Sequence, residues 1–179
     1  RRGRLARARG RVVSPPGLVI RATARTDAAA LNALANLAGV RWGTTHLPYL
    51  RLEATERWLE RSVDAFGIVA ELEGRVVGNA NWSRMGGRTA HVAELGMMVH
   101  DDHTGRGIGR ALLDALVEAA FDWHDLRRLQ LQVLHDNAAA IRLYERAGFV
   151  REGILRGHVF RRGRDEDVWV MARRRDDRG

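Results

Sequence analysis

The spacing of hydrophobic residues divides the chain into strand-like and helix-like segments. Apolar and polar positions alternate in segments bounded by glycine, proline or polar clusters, which predicts strands at 18–22, 68–72, 75–82, 91–99 and 129–134. Apolar residues three or four positions apart predict helices. These cover the alanine-rich segment that follows a cap at Thr26 or Asp27, the ranges 52–66 and 107–123, and the range from Asp136 or Asn137 to Arg146.

Turn residues join these segments. Glu73 and Gly74 predict one hairpin, and Arg162 and Gly163 predict another between final strands at 149–160 and 167–173. Gly148 stands where a left-handed residue ends the last helix. The segment 39–50 has no clear period and is predicted to be irregular. The order is therefore β, α, α, β, β, β, α, β, α, β, β. It predicts one α/β (α+β) domain over 17–173, with a mixed, mostly antiparallel sheet of about seven strands and about four helices.

Charge is concentrated at the two ends of the chain. The formal net charge is +8, of which residues 1–11 supply +6 and residues 172–179 supply +2, so the part between them is neutral. The simplest interpretation is a disordered basic extension over 1–16 and a charged tail over 174–179. RNA binding through these arginines is the alternative, but the neutral domain weighs against nucleic acid as a partner.

Composition excludes several classes of chemistry. The chain has no cysteine, so disulfides and thiolate catalysis are excluded, and a reducing cytoplasm is the expected location. No stretch approaches the roughly 20 apolar residues of a membrane span, so no membrane partner is expected. His100 and His103 lie beside two aspartates in a turn without a known ligand spacing. No metal site is therefore predicted.

The stretch HTGRGIGRALL, residues 103–113, combines three glycines with two arginines just before an apolar helix. Glycines allow tight turns that expose main-chain N–H groups, and these add to the free donors at a helix N-terminus. The loop therefore suits a phosphate, although a plain tight turn is the alternative. Gly105, Gly107 and Gly109 alternate, which matches neither the Walker pattern nor the dinucleotide fingerprint.

A second motif, NAAAIRLYERAGF at 137–149, makes the interpretation of the glycine loop (residues 104–109) more specific. Together the two segments resemble the GNAT superfamily of N-acetyltransferases. In that family the pyrophosphate loop follows Q/R-x-x-G-x-G/A, and a later helix carries N-x-x-A-x-x-x-Y-x-x-x-G-F. Thr104 departs from the first pattern, where Gln or Arg is usual, so Arg106 or Arg110 would have to replace that side chain.

The resemblance implies acetyl-CoA as co-substrate, bound where the sheet is splayed between its fourth and fifth strands. Main-chain groups of Met98, Val99 and His100 would pair with the pantetheine arm. Asn137 would approach the same arm, or would only cap its helix. The pyrophosphate would be surrounded by Thr104, Gly105, Arg106, Gly107, Ile108, Gly109 and Arg110.

Two residues are candidates for the chemistry. Tyr144 takes the role of acid toward the departing thiolate in the family, and a phenol is protonated at neutral pH. Its alternative is an amphipathic core residue. Glu94 lies in an otherwise apolar strand, which indicates a general base, directly or through water. Its alternative is a solvent-exposed position of an alternating strand.

The sequence identifies the amine acceptor less closely than it identifies acetyl-CoA. The segment 40–49 and the end of the chain resemble, more loosely, the branch that acetylates free amino acids and phosphinothricin-type small amines. Hypotheses of other kinds are a protein N-terminus or lysine as acceptor, and a non-catalytic acyl-CoA-binding or nucleic-acid-binding module. His46 either faces the acceptor cleft or lies in a surface loop. The apolar side of that cleft is formed by Trp42, Leu47, Pro48 and Tyr49, or these residues pack beneath the first two helices. The last hairpin offers a sheet edge, so a homodimer is also expected.

Overall fold

The computed structural model describes residues 14–60 and 64–177, and the predicted extension at 1–16 lies largely outside them. The strands are β1 Val19–Ala22, β2 Ala65–Leu72, β3 Arg75–Arg84, β4 Val92–Val99, β5 Arg128–Leu134, β6 Val150–Arg161 and β7 Arg164–Arg174. The helices are α1 Ala28–Ala35, α2 Ala38–Gly43, α3 Leu52–Glu60, α4 Ile108–Glu118 and α5 Ala138–Arg146. The strands form one seven-stranded sheet in the order β1-β2-β3-β4-β5-β7-β6. The predicted fold class is confirmed.

Hydrophobic side chains cover both faces of the sheet. On one face, Leu112 and Leu116 of α4 are fully buried in the main core. On the other face, Leu31 and Leu34 of α1 pack against Val69. The neighbours of Val69 in β2 belong to the main core, as expected when successive side chains of a strand point to opposite faces. Each buried leucine contributes roughly 1.5–3 kcal/mol, so the helices are fixed on the sheet by their apolar stripes.

The sheet opens between β4 and β5. These two strands run parallel and pair only where residues 92–94 face residues 128–130. Beyond that point β4 continues to pair with β3, and β5 continues to pair with β7. The other strand pairs are antiparallel. The predicted splay between the fourth and fifth strands is therefore present, and it leaves a wedge-shaped gap that widens toward the carboxyl ends of both strands.

Two predictions about the first half of the chain are wrong. The segment 38–43 is helical (α2), although irregular structure is predicted from residue 39 onward. Helix α3 is described over Leu52–Glu60, and Phe66 belongs to β2, where its ring stacks on Trp82 at 5.5 Å between centroids. Sheet pairing and this aromatic contact override the helical spacing that continues to residue 66. Val63, predicted on the same helix face, lies outside the described residues.

The helix ends follow local hydrogen bonding. Asn137 caps α5 by accepting a hydrogen bond from the amide of Ala140 at 3.1 Å. Gly148, with φ +87°, ends the same helix, and the amide of Phe149 donates to the carbonyl of Tyr144 at 3.0 Å, as in a Schellman motif. Asp27 precedes α1 but does not cap it, because its carboxylate accepts from Arg21 and from the amide of Ala24.

Candidate active site

A groove of about 1320 Å³ passes through the gap between β4 and β5. One wall comes from α1, α2, α3 and the segment 44–50, and the other comes from α4, α5 and the loop before α4. Strands β4 and β5 themselves form the two edges of the gap. The predicted site residues on β4, in the glycine loop (residues 104–109) and on α5 therefore share one groove, although His100 and Ile108 do not line it.

The glycine loop has the conformation that an anion cradle needs. Gly105 and Gly107 have φ values of +74° and +82°, in the left-handed region that favours glycine. Helix α4 starts directly after Gly107, and its first internal hydrogen bond joins the amide of Ala111 to the carbonyl of Gly107. The amides of residues 108–110 thus have no partner within the helix. A Cβ atom on Gly109 would lie 3.2 Å from Leu143, so glycine there allows α4 and α5 to pack closely.

Side chains around the glycine loop contribute unequally. The hydroxyl of Thr104 donates to the carbonyl of Asp101 at 3.0 Å, so it stabilises the preceding turn. Arg110 is paired with Asp114 at 2.7 Å and donates to the carbonyl of Arg146. Arg106 is exposed, and its one side-chain hydrogen bond among the described residues is to the ring of His103, at 2.9 Å. Arg106 is therefore the guanidinium whose charge is available for an anion at this loop.

Main-chain groups of β4 alternate between β3 and the gap. The amide of His100 donates to the carbonyl of Val77 at 2.8 Å, and Val92 accepts from Met85 at 2.9 Å. The register between β3 and β4 is regular between these two bonds, so even-numbered residues, Met98 included, bond to β3. The odd-numbered Met97 and Val99 direct their N–H and C=O groups into the gap. Of the three residues predicted to pair with the pantetheine arm, only Val99 directs its main-chain groups into the gap, because those of Met98 and the amide of His100 bond to β3.

Tyr144 projects from α5 into the groove. It is buried beside Phe149, with ring centroids 5.8 Å apart. Its hydroxyl forms no hydrogen bond with the described part of the chain, and burial raises the pKa of the phenol to about 12. The residue is both core and groove lining, and its hydroxyl is a donor held in protonated form.

Glu94 lies where the gap begins. It faces Gln130 in the last pair between β4 and β5, and it faces Ser83 on the other side. The carboxylate is exposed and lines the groove. A carboxylate at the closed end of the gap can accept a proton from a bound amine, directly or through water.

Helix α2 crosses the open end of the gap. At its start, the carboxylate of Asp101, just after β4, accepts from the amide of Gly39 at 2.8 Å. At its end, the side chain of Asn137, just after β5, donates to the carbonyl of Gly43 at 3.4 Å. Asn137 therefore has both of the expected positions, as the cap of α5 and as part of the groove. Glycine at position 39 permits this close approach, because a Cβ atom there would lie 2.5 Å from the Asp101 carboxylate.

The wall opposite α4 and α5 is more polar than the apolar side that the sequence suggests for the acceptor cleft. Its lining includes Leu31, Trp58, Asn79, Asn81 and Ser83. His46 also lines it, and desolvation lowers the pKa of its imidazole, which favours the neutral ring near pH 7. The groove lining includes none of Trp42, Leu47, Pro48 and Tyr49. Leu47 and Tyr49 are 76% and 89% exposed, so neither interpretation of this apolar segment is correct for them.

No group of three or more histidine and carboxylate side chains is arranged to hold a metal ion in the part of the chain that the structure covers. None of the helices within 14–60 and 64–177 is long and apolar enough to cross a membrane.

Comparisons with known proteins agree with this geometry. The sequence profile of the acetyltransferase (GNAT) family matches residues 31–149. An L-amino acid N-acetyltransferase of Escherichia coli is 36% identical over 120 residues, which cover 65% of this chain and 74% of the relative. A solved ribosomal-protein-alanine N-acetyltransferase from Brucella melitensis has a TM-score of 0.81 at 32% identity, over 87% of this chain and 99% of that one. An acetyltransferase from Salmonella typhimurium, solved with its cofactor acetyl-CoA, has a TM-score of 0.80 at 25% identity, over 89% and 95% of the two chains.

Proposed function

The chain belongs to the GNAT family of acetyltransferases, and from this membership we propose that it transfers an acetyl group from acetyl-CoA to the primary amine of a free amino acid or a close analogue. One observation carries the proposal. A single groove joins the glycine loop, the unpaired edge of β4, the hydroxyl of Tyr144 and the carboxylate of Glu94. The relative named for L-amino acids supports the choice of acceptor.

The glycine loop and β4 fit the two polar parts of acetyl-CoA. Free amides of residues 108–110 and the charge of Arg106 suit the pyrophosphate. The N–H and C=O groups of Met97 and Val99 suit the amides of the pantetheine arm, as an added strand would. Acetyl-CoA supplies the acetyl group as an activated thioester. An N–H donor from β4 to the carbonyl oxygen is commonly worth about 10²- to 10³-fold in rate.

The amine must lose a proton before it attacks. At neutral pH this costs roughly 4 kcal/mol for an amine with a pKa near 10.4, and roughly 1 kcal/mol for an α-amine with a pKa near 8. A single exposed carboxylate, Glu94, is therefore a more adequate base for an α-amine than for an amine with a pKa near 10.4. Neutral His46 is a second acceptor of protons on the same groove.

Tyr144 acts on the leaving group by donating a hydrogen bond. A thiol has a pKa near 8.5, so complete transfer from a phenol of pKa about 12 is uphill by roughly 5 kcal/mol. Donation without full transfer still stabilises the negative charge that develops on sulfur. Burial also raises the pKa of a thiol, which narrows this difference.

A steady-state screen with acetyl-CoA tests the proposal. The acceptors are amino acids, methionine analogues, phosphinothricin, spermidine and a short peptide with a free N-terminus, and release of free thiol is the signal. We expect turnover of at least one free amino acid or analogue at a higher kcat/KM than the polyamine or the peptide. Turnover confined to the peptide or the polyamine contradicts the proposed acceptor class, and coenzyme A binding without turnover contradicts the proposed reaction.

The edge of the sheet also supports a homodimer. Strand β6 is the last strand on its side, and four of its apolar side chains are exposed: Val150, Ile154, Leu155 and Phe160. An uncovered edge with apolar side chains favours pairing with a second copy. Sedimentation analysis should give twice the monomer mass for the wild type and the monomer mass for Ile154→Asp. A monomeric wild-type protein contradicts this part of the proposal.

A further inference from the structure

The last residue of β6, Arg161, ties together separate parts of the structure. Its guanidinium bonds to the carboxylates of Asp136 at 2.6 Å and Glu166 at 3.1 Å. It also donates to the main-chain carbonyl of Trp42 at 2.9 Å. The same group lies over the indole ring of Trp42, 4.0 Å from the ring centroid. One side chain thus joins β6, β7, α2 and the segment before α5.

The chemistry of this contact is specific to arginine. The side chain of Arg161 is only 11% exposed, and hydrogen bonding to Asp136 raises the pKa of its guanidinium. A planar guanidinium can bond through its edge and stack through its face at once, whereas a lysine ammonium is a point charge. The described surroundings supply two carboxylates and a ring face to this guanidinium, although its Nε has no hydrogen-bond partner among them.

Trp42 connects this contact to the groove. It belongs to α2, whose start is held by Asp101 and whose end is held by Asn137. Directly after α2, the chain lines the groove with Thr44, Thr45, His46 and Leu50, which we name the acceptor wall. Trp42 itself does not line the groove. Trp42 lies two residues before the acceptor wall, whereas the glycine loop is anchored separately by Thr104.

We propose that Arg161 is a positioning residue that fixes the acceptor wall through Trp42 and so sets the affinity for the amine. The inference rests on the proposed function, because it needs an amine to measure. It concerns acceptor binding and not the thioester chemistry, since Arg161 does not line the groove.

The test is Arg161→Lys, with Arg151→Lys as matched control. Arg151 lies on the same strand, stacks over Trp169 at 5.0 Å and pairs with Glu145 at 2.8 Å, but it does not line the groove or contact α2. For Arg161→Lys we expect the acceptor KM to rise about tenfold, since the stacked contact with Trp42 is lost together with the paired hydrogen bonds of a buried guanidinium. The acetyl-CoA KM and kcat should stay within about twofold of wild type. All three constants should stay within about twofold in Arg151→Lys.

A second variant separates positioning from general damage. Trp42→Leu removes the stacking partner and should raise the acceptor KM in the same way. Because both changes break the contact between Arg161 and Trp42, their effects on the acceptor KM should be less than additive in the double variant. Additive effects in the double variant contradict a shared contact.

The possible results distinguish the inference from the proposed function. An active wild type with an unchanged acceptor KM in Arg161→Lys overturns the inference alone. Parallel losses in kcat and in both KM values, together with a lower melting temperature, also overturn it, because they indicate a structural role only. A wild type that turns over no amine contradicts the proposed function, and the inference fails with it.

Discussion

Gly105→Ala separates the role of the glycine loop in binding from its role in folding. Gly105 has φ +74°, and a Cβ atom built on it meets no atom within 4 Å. The cost to folding therefore comes from the backbone alone. A left-handed conformation costs an L-residue about 1–2 kcal/mol. Reduced freedom of the unfolded chain returns about 0.4–1 kcal/mol of this, which leaves a net loss of roughly 1 kcal/mol.

The chain offers a matched control in Gly74. This glycine also has φ +74° and open space around its Cβ position, but it lies in the turn between β2 and β3, away from the groove. Gly74→Ala should lose the same stability of about 1 kcal/mol. The open space beside Gly105 belongs to the groove, and in the proposed binding mode a methyl group there would meet the pyrophosphate.

The two variants should therefore differ in binding and not in stability. Losing one hydrogen bond to a charged group costs about 1.5–3 kcal/mol, so Gly105→Ala should bind acetyl-CoA roughly 10- to 100-fold more weakly. Calorimetric titration gives the Kd, and urea unfolding gives the stability of each variant. Equal Kd values for Gly105→Ala and wild type would refute the reasoning. An equal weakening in both variants would refute it as well, because the effect would then follow from stability.

Three further predictions address the chemistry and the fold. Tyr144→Phe should lower kcat about 10- to 100-fold in a thiol-release assay, with little change in melting temperature, because its hydroxyl has no hydrogen-bond partner among the described residues; a kcat within twofold of wild type would leave it a core residue only. Glu94→Gln should lower kcat about 100-fold at neutral pH, and kcat should recover at higher pH because the amine is then already deprotonated. A loss of kcat that persists across the pH profile would argue against Glu94 as the base. Asp27→Asn should cost about 2 kcal/mol of unfolding free energy at pH 7. Hydrogen bonding to Arg21 lowers the pKa of Asp27 below 3.8, so this difference should shrink as pH falls below about 4; a constant difference in urea unfolding would contradict the assignment.

The regular elements and the glycine loop are predictable because their causes are local. Helix α4 follows its apolar stripe, and Gly105, Gly107 and Gly148 stand where the backbone needs left-handed angles. These residues place the loop at a helix N-terminus without any tertiary information. The same holds for Asn137, whose side chain caps α5.

Other features depend on contacts distant in sequence. Helix α2 contains two glycines and no useful period, and it is held by Asp101, more than sixty residues away. Phe66 joins a strand because of Trp82. That main-chain groups of Met97 and Val99, and not those of Met98, face the gap follows from the register of β4 on β3, which hydrophobic spacing cannot supply. The contact of Arg161 with Trp42 spans even more of the chain.

The central claim is that main-chain amides of β4 and of the glycine loop hold acetyl-CoA in the gap between β4 and β5. The most direct measurement is an NMR titration of backbone amides with acetyl-CoA. We predict saturable shifts at Val99 and at residues 105–110, with smaller shifts at Gly74 and along β6. Shifts that are absent from the glycine loop and β4, or that cluster elsewhere on the protein, would contradict the account.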